Sequence, residues 1–296
     1  MTNRARDRWA EWLLERRFGG DAGGREDFLE GLLPWRDRVL ANAGVGEGDV
    51  LLDVGAGDGL IAFGALEFVG ESGRVIFSDV SQDLLDHSSV LAEEMNVLDR
   101  CAFVRAAADD LSEIEDASVD AVTTRSVLIY VKDKRGALRE FHRVLKPGGR
   151  VSVFEPINRF RQPQPPHLFF GYDVTPVQEP AQKVMGVYRR LQPMDSDPML
   201  DFDERDLLDF AEDAGFAEIE LSYEAKISIK GSFHGVSDWG TFLRSAGNPN
   251  IPTMEEAMTE ALTAGEIESL TAHLRPLVEG GPRKHASALA FVRAVK

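Results

Sequence analysis

A short apolar run that ends in closely spaced glycines constrains the fold of this chain more than any other feature. The run covers residues 50–54, glycines follow at Gly55, Gly57 and Gly59, and an apolar stretch continues through residues 60–69. Continuous apolar runs are typical of strands buried on both faces of a parallel sheet. Glycines let the backbone turn tightly and approach a ligand, and the free N–H groups of a following helix favour anionic partners. The pattern predicts a strand, a turn and a helix that together cradle a small molecule.

The spacing of these glycines separates two classes of cofactor. A dinucleotide-binding turn has the form G-x-G-x-x-G, and its third glycine packs the helix against the strand. Leu60 takes that third position here, and an extra glycine comes one residue earlier, at Gly59. The arrangement Asp53-x-Gly55-x-Gly57-x-Gly59 resembles motif I of class I S-adenosylmethionine-dependent methyltransferases. The resemblance implies that Asp53 orients the turn and the methionine amino group, and that the glycine backbone lies under the methionine and ribose portions.

A second acidic strand end strengthens the resemblance. Residues 74–79 predict a short apolar strand, and its last residue, Asp79, lies twenty residues beyond Gly59. A carboxylate at such a position accepts hydrogen bonds from the hydroxyls of a bound ribose, and the resemblance implies that role for Asp79. The alternative is that Asp79 only caps the following helix, as Ser81 could also do.

The third strand is predicted over residues 102–105 and is followed by two neighbouring acids, Asp109 and Asp110. The family places an acid and a small residue here, against the adenine amino group. The acid comes later in this chain than in the commonest pattern, so we assign the contact to Asp109 and keep Asp110 as the alternative. An N-cap role for either aspartate stays open.

The next segment supplies a second specific match. A fourth strand is predicted over residues 119–124, a helix over 134–145 and a fifth strand over 150–155, with Lys-Pro-Gly-Gly at 146–149 as the helix terminator. The run over 140–151 is very similar to the segment that follows the fourth strand in class I methyltransferases.

The resemblance covers residues 45–155 well and is nearest to the small-molecule type of the UbiE and type 11 group. It implies an α/β fold: a Rossmann-like, seven-stranded, mostly parallel sheet flanked by helices, with the last strand antiparallel and with helical lid and cap insertions. The predicted organisation is an N-terminal helical lid (1–44), a cofactor-binding core (45–155), a substrate-cap insertion (156–202), a continuation of the core (203–230), a helical insertion (231–285) and the last core strand (286–296).

Within the predicted lid, the apolar spacing indicates an amphipathic helix over residues 4–18. A glycine-rich break follows over residues 19–24. A second helix is predicted over residues 26–43, interrupted or restarted at Pro34.

Candidate site residues follow from these matches. The residues assigned to cofactor binding are Asp53, Gly55, Ala56, Gly57, Gly59, Asp79, Val80, Ala108, Asp109, Arg125 and Ser126. The residues assigned to substrate binding are Tyr130, Asn158, Phe169, Tyr172 and Tyr188. If the acceptor arrives protonated, the candidate bases by residue type and region are His167, Tyr172 and His234. No metal site is predicted.

Charge and composition limit the partners. The net charge is −17, which argues against nucleic acid because Lys and Arg contacts to phosphates supply most of that affinity. Five arginines lie between Arg4 and Arg17, but acidic residues alternate with them at helical spacing and predict a solvated, self-paired helix face. We expect a cytoplasmic protein without membrane association: the chain has one cysteine, no apolar run of membrane-spanning length and no secretory signal pattern.

The predicted function is transfer of the S-adenosylmethionine methyl group to an oxygen, nitrogen or carbon nucleophile of a small molecule by in-line displacement. Three alternatives stay open: an NAD(P)-dependent oxidoreductase, a protein methyltransferase and a non-catalytic protein that binds S-adenosylmethionine. The oxidoreductase is disfavoured by Leu60 and by the Lys-Pro-Gly-Gly turn over 146–149.

Overall fold

The computed structural model describes residues 5–230 and 238–296. Its strands are β1 (Val50–Val54), β2 (Arg74–Asp79), β3 (Cys101–Arg105), β4 (Val119–Arg125), β5 (Leu145–Pro156), β6 (Leu168–Phe169), β7 (Tyr172–Asp173), β8 (Ala217–Lys230) and β9 (Arg283–Val295). Its α-helices are α1 (Arg8–Leu14), α2 (Ala22–Ala43), α3 (Leu60–Val69), α4 (Gln82–Glu94), α5 (Lys134–Val144), α6 (Gln178–Leu191), α7 (Glu204–Asp213), α8 (Trp239–Arg244), α9 (Met254–Ala261) and α10 (Ala264–Gly280).

The main sheet has seven strands in the order β3-β2-β1-β4-β5-β9-β8. Strands β1 to β5 are parallel, and β9 pairs antiparallel with both β5 and β8. The predicted fold class, including the antiparallel last strand beside the fifth, is confirmed. The strand order reverses direction between β1 and β4, and in open α/β sheets such a switch point opens a crevice at the carboxyl ends of the strands.

Two apolar layers cover the faces of this sheet because successive strand residues point to opposite faces. Leu52 on β1 packs in the same layer as Phe141 of α5 and Leu207 of α7. Its neighbour Leu51 packs in the other layer with Val39 of α2 and further apolar residues of α3. The helices on both sides explain why β1 reads as a continuous apolar run.

A third apolar cluster lies outside the sheet and joins two separately predicted insertions. Helix α6, from the segment over 156–202, contributes Val184, and α9 and α10 contribute Met258 and Leu274. The short β6–β7 hairpin adds Phe169 and Tyr172 to the same cluster. We call this group of elements, β6, β7, α6, α8, α9 and α10, the helical cap.

The N-terminal region differs from its predicted boundaries. The predicted break over residues 19–24 is shorter than expected, because α2 begins at Ala22 and contains Gly24. The Asp21 side chain accepts a hydrogen bond from the Gly24 backbone N–H and so caps the helix at this earlier point. Helix α2 also continues through Pro34, so the predicted interruption there is wrong. Among the described residues, the helices are all too short or too polar to cross a bilayer.

Candidate active site

The glycine turn lies at the carboxyl end of β1 and has a backbone that only glycine adopts easily. Gly55, Gly57 and Gly59 have φ angles of +67°, +58° and +84°. A Cβ at Gly55 would lie 2.3 Å from Cγ2 of Val127, and one at Gly57 would lie 3.1 Å from Cδ2 of Leu13. The turn is therefore enclosed by the loop after β4 on one side and by α1 on the other.

Asp53 presents an unsatisfied carboxylate oxygen to this turn. Its side chain is buried, and Thr123 donates a 2.8 Å hydrogen bond to Oδ1. Oδ2 has no partner at hydrogen-bond geometry among the described residues, although the Ala62 backbone N–H is near enough to favour the ionised carboxylate. Asp53 lines the cavity beside the turn. Burial raises the pKa of this carboxyl to about 7. A buried oxygen that lacks a donor fits a ligand ammonium group, which is the role that motif I implies.

Asp79 connects the end of β2 to the same turn. Its Oδ2 accepts the Gly57 backbone N–H and its Oδ1 accepts that of Ser81, both at 2.9 Å. A carboxylate has about four lone-pair sites, so two remain for a ligand. Ser81, and not Asp79, is the N-cap of α4, because its hydroxyl accepts the Leu84 backbone N–H. Asp79 lines the cavity, and burial raises its pKa.

The residues assigned to the adenine end lie on the same wall. Val80, Ala108 and Asp109 line the cavity beside Asp79. Asp110 lies outside that lining and accepts the Ser112 backbone N–H. The structure therefore brings Asp109, rather than the alternative Asp110, toward the cradle.

A single cavity of about 1420 Å³ extends from the glycine turn to the helical cap. Its lining includes ten of the eleven residues assigned to cofactor binding: Asp53, Gly55, Ala56, Gly57, Asp79, Val80, Ala108, Asp109, Arg125 and Ser126. Gly59, the eleventh, lies behind the turn as the N-cap of α3. The volume of the cavity suits two ligands, since cavities of about 300–1,000 Å³ hold one drug-sized molecule.

The assigned substrate and base residues divide into two groups. Tyr130, Asn158 and Tyr188 line the cavity. Phe169 and Tyr172 do not line it, because both are fully buried in the core of the helical cap.

The residues assigned as bases are not brought to the cavity. His167 is exposed outside its lining, and burial in the helical cap excludes Tyr172. These two assignments are corrected. His234 lies outside the described residues.

The N-terminal segment contributes residues that sequence reasoning assigned to solvent. Arg6 forms a surface ion pair within this segment, with Glu15, as expected, whereas Arg16 forms one with Glu256 of α9. Arg17 does not: it lines the cavity, and its guanidinium lies 5.1 Å from the ring centroid of Trp12. Burial lowers its pKa to about 10. The aromatic spacing of α1 was the available signal for a helix that faces the site.

Tyr130 closes the cavity against the N-terminal helix. Its ring lies 4.9 Å from that of Trp9 in an edge-to-face arrangement, a geometry that aromatic pairs favour. Burial raises the pKa of Tyr130, so its hydroxyl stays protonated and acts as a hydrogen-bond donor.

Glu155 is a buried group that the sequence did not single out. It lies at the end of β5, is fully buried, and accepts backbone N–H groups from three successive residues. Oε1 accepts Val127 at 2.9 Å and Leu128 at 2.8 Å, and Oε2 accepts Ile129 at 3.3 Å. Burial raises its pKa to about 7. Glu155 thereby fixes the loop that carries Tyr130 and encloses Gly55.

The fold and the site together define a class I S-adenosylmethionine-dependent methyltransferase. The defining features are the glycine turn after β1, the carboxylates that end β1 and β2, and the antiparallel strand beside β5. Residues 32–227 match the ubiE/COQ5 methyltransferase family, and the chain belongs to that family. The predictions of the class and of S-adenosylmethionine as its cofactor are confirmed.

Individual relatives match over part of their length. The chain is 34% identical over 139 residues to a ubiquinone/menaquinone biosynthesis C-methyltransferase UbiE of Francisella tularensis subsp. novicida, which covers 47% of this chain and 54% of that protein. The chain thus spans about half the length of the curated relatives it matches.

Solved structures share the fold. YcgJ of Bacillus subtilis aligns with a TM-score of 0.53 at 17% identity, covering 88% of this chain and 97% of that one. Phosphoethanolamine N-methyltransferase 2 of Haemonchus contortus, in complex with S-adenosyl-L-methionine, aligns with a TM-score of 0.50 at 18% identity, covering 97% and 56%.

Proposed function

We propose that this chain transfers the methyl group of S-adenosylmethionine to a nucleophile on a small organic molecule. The observation that carries the proposal is the continuous cavity, which joins the motif I cradle to a wall of aromatic and apolar side chains supplied by the N-terminal segment and the helical cap. The cofactor supplies an electrophilic methyl group on a sulfonium, so the protein's work is to position the two reactants and exclude water.

The chain's own residues have distinct roles in this proposal. Asp53 Oδ2 holds the ammonium group, and the free lone pairs of Asp79 accept the two ribose hydroxyls. Val80 and Asp109 contact the adenine. Trp9 and Tyr130 cover the zone between the cradle and the acceptor end and keep water from it.

Proton transfer is limited by the position of the candidate bases. His167 and Tyr172 do not line the cavity, and Tyr130 stays protonated, so none of these three accepts a proton from the acceptor. If the nucleophilic atom of the acceptor arrives protonated, His285 is a histidine that does line the cavity and is the candidate base. The identity of that atom, oxygen, nitrogen or carbon, is set by the substrate, because the fold alone does not define it.

A calorimetric titration tests this proposal directly. We expect S-adenosylhomocysteine to bind the full chain saturably, and NAD and NADP to give no heat, because Leu60 takes the place of the third glycine of a dinucleotide turn. Binding of NAD without S-adenosylhomocysteine would reject the proposal in favour of an oxidoreductase. Methylation of histone or ribosomal peptides in preference to small molecules would favour a protein methyltransferase instead.

Cofactor affinity should depend on pH through Asp53. Its pKa is about 7 in the free protein, and only the ionised form pairs with an ammonium group. Affinity for S-adenosylhomocysteine should rise by up to about tenfold per pH unit below pH 7 and level off above it. Asp53→Asn should flatten this slope in titrations between about pH 5.5 and 7, a range in which the ligand's own amino group stays protonated.

The matched control is Asp58→Asn, which changes another carboxylate on the same cavity wall. We expect this variant to keep the slope. An equal slope in the Asp53 variant and the unmodified protein would show that a different group titrates.

A further inference from the structure

The charged residues of the cavity are unevenly distributed, and basic residues dominate the part farthest from the glycine turn. The cavity's acidic residues from the first three strand ends are Asp53, Asp58, Asp79 and Asp109. Two basic residues lie at this same end, Arg17 near Asp58 and Arg125 near Asp53. The lining residues that come after β4 are, by contrast, mostly basic: Lys132, Arg161, Arg189, Lys226 and Arg283, with His285 among them. Glu224 is the acidic exception among them, and it forms an ion pair with Arg38. A basic acceptor end is notable in a chain of net charge −17.

Arg161 is the most informative of these basic residues. It ends the 3₁₀ turn that follows β5, and one of its guanidinium nitrogens donates a 3.1 Å hydrogen bond to Asn158 Oδ1. That partner is a neutral amide. Within residues 5–230 and 238–296, Arg161 has no carboxylate at ion-pair distance, and burial lowers its pKa. Arg161 is half-buried on the cavity wall, and a charge that is partly withdrawn from water without a counter-ion favours a bound anion.

Arg283 lies beside Arg161 and is held in a fixed orientation. It is 4% exposed at the start of β9, and its Nε donates a 2.7 Å hydrogen bond to the Phe170 carbonyl. Burial lowers the pKa of Arg283, and the nearby charge of Arg161 lowers it further. Arg283 also has Nη1 3.4 Å from Nδ1 of His285. The two guanidinium charges repel each other, and an anion bound at Arg161 would offset part of that repulsion.

The position of this pair separates it from the cofactor. Strands β4 and β5 lie between β1 and β9 in the sheet, and three strand spacings amount to ~14 Å. The space between is lined by apolar side chains, which include Phe154, Ile157 and Leu289. The cavity thus offers an apolar middle section with a cationic end.

We propose that the methyl acceptor is an organic carboxylate whose anionic group binds Arg161 and Arg283 while its apolar body lies against Ile157 and Phe154. Planar guanidinium groups match carboxylates with paired hydrogen bonds. That the bound carboxylate is the molecule that is methylated rests on the proposed function. The anion site itself is defined by the side chains and binds its ligand with or without the cofactor.

The test is a binding panel on the full chain, with and without S-adenosylhomocysteine. The probes are aromatic and aliphatic carboxylates, each paired with its neutral amide, and phenyl phosphate as a second anion. We expect at least one carboxylate to bind more tightly than its amide, and Arg161→Gln to weaken it by about tenfold or more, since a hydrogen bond to a charged group is lost. Arg161→Lys should restore part of the affinity because the charge returns.

The matched control is Arg159→Gln, which changes an exposed arginine of the same 3₁₀ turn that does not line the cavity. We expect this variant to bind the carboxylate normally, and both glutamine variants to keep their affinity for S-adenosylhomocysteine. The proposal is overturned if no carboxylate binds better than its amide, if phenyl phosphate alone binds, or if Arg161→Gln leaves carboxylate affinity unchanged. If the unmodified protein does not bind S-adenosylhomocysteine, the proposed function is rejected, whatever the result with the carboxylates.

Discussion

Asp79→Ala is expected to weaken S-adenosylhomocysteine binding by about 100-fold or more. Each hydrogen bond between a hydroxyl and a carboxylate stabilises by about 1.5–3 kcal/mol, and the ribose presents two such hydroxyls to the free lone pairs of Asp79. A second loss adds to the first, because the carboxylate also holds the Gly57 and Ser81 backbone N–H groups at 2.9 Å. Calorimetric titration of both proteins at one pH measures the change.

The two contributions can be separated with nucleosides. Adenosine should compete with S-adenosylhomocysteine better than 2′-deoxyadenosine does in the unmodified protein, and this preference should vanish in Asp79→Ala. The matched control, Asp86→Ala, removes an exposed carboxylate on α4 that hydrogen-bonds only Gln82 in the described part of the chain. A variant that binds more weakly but still prefers adenosine would show that Asp79 shapes the turn without contacting the ribose.

Glu155→Leu is expected to lower the free energy of unfolding by about 3 kcal/mol or more. The substitution nearly preserves volume but leaves the buried N–H groups of Val127, Leu128 and Ile129 without an acceptor, and each such loss costs about 1–3 kcal/mol. Urea denaturation measures the change in stability. Affinity for S-adenosylhomocysteine should fall as well, because the released loop encloses Gly55 and carries Tyr130.

Two further variants test whether the lost hydrogen bonds cause this loss of stability. Glu155→Gln keeps an oxygen that can accept the two shorter hydrogen bonds and avoids burying a charge, so it should cost less than about 1.5 kcal/mol. Glu224→Leu removes a carboxylate from a surface ion pair with Arg38 and should cost less than about 1 kcal/mol. Equal losses for Glu155→Leu and Glu224→Leu would contradict the role of Glu155 as the acceptor that organises this loop.

The core could be predicted from the sequence because its signals are local. The apolar run over 50–54, the glycine spacing and the Lys-Pro-Gly-Gly terminator each specify a strand, a turn or a helix end within a few residues. The acids at the ends of β1 and β2 could be located for the same reason. Parallel strands bring their carboxyl ends to one edge of a sheet, so Asp53 and Asp79 had to meet.

The acceptor end could not be predicted, because it is assembled from segments far apart in the chain. Tyr172 and Phe169 are aromatic residues of the kind that often line binding sites. Their hairpin, however, packs against α6 and α10, and both side chains are buried in the helical cap. Arg17 lies among solvated arginines in the sequence, and only the fold shows that its neighbours Trp12 and Phe28 turn it toward the cavity. Glu155 reads as the end of a strand, since backbone donors leave no trace in a sequence.

The N-terminal segment touches both halves of the molecule. At one end, the Ser81 hydroxyl donates a 2.7 Å hydrogen bond to Asp7 Oδ2, beside the cofactor cradle. At the other, Trp12 Nε1 donates to the Ala246 carbonyl at 2.8 Å, and Arg244 Nε donates to the Gly19 carbonyl at 3.0 Å. The segment thus bridges the cofactor end and the cap end of the cavity, so a displacement that breaks its hydrogen bonds at one end would strain those at the other.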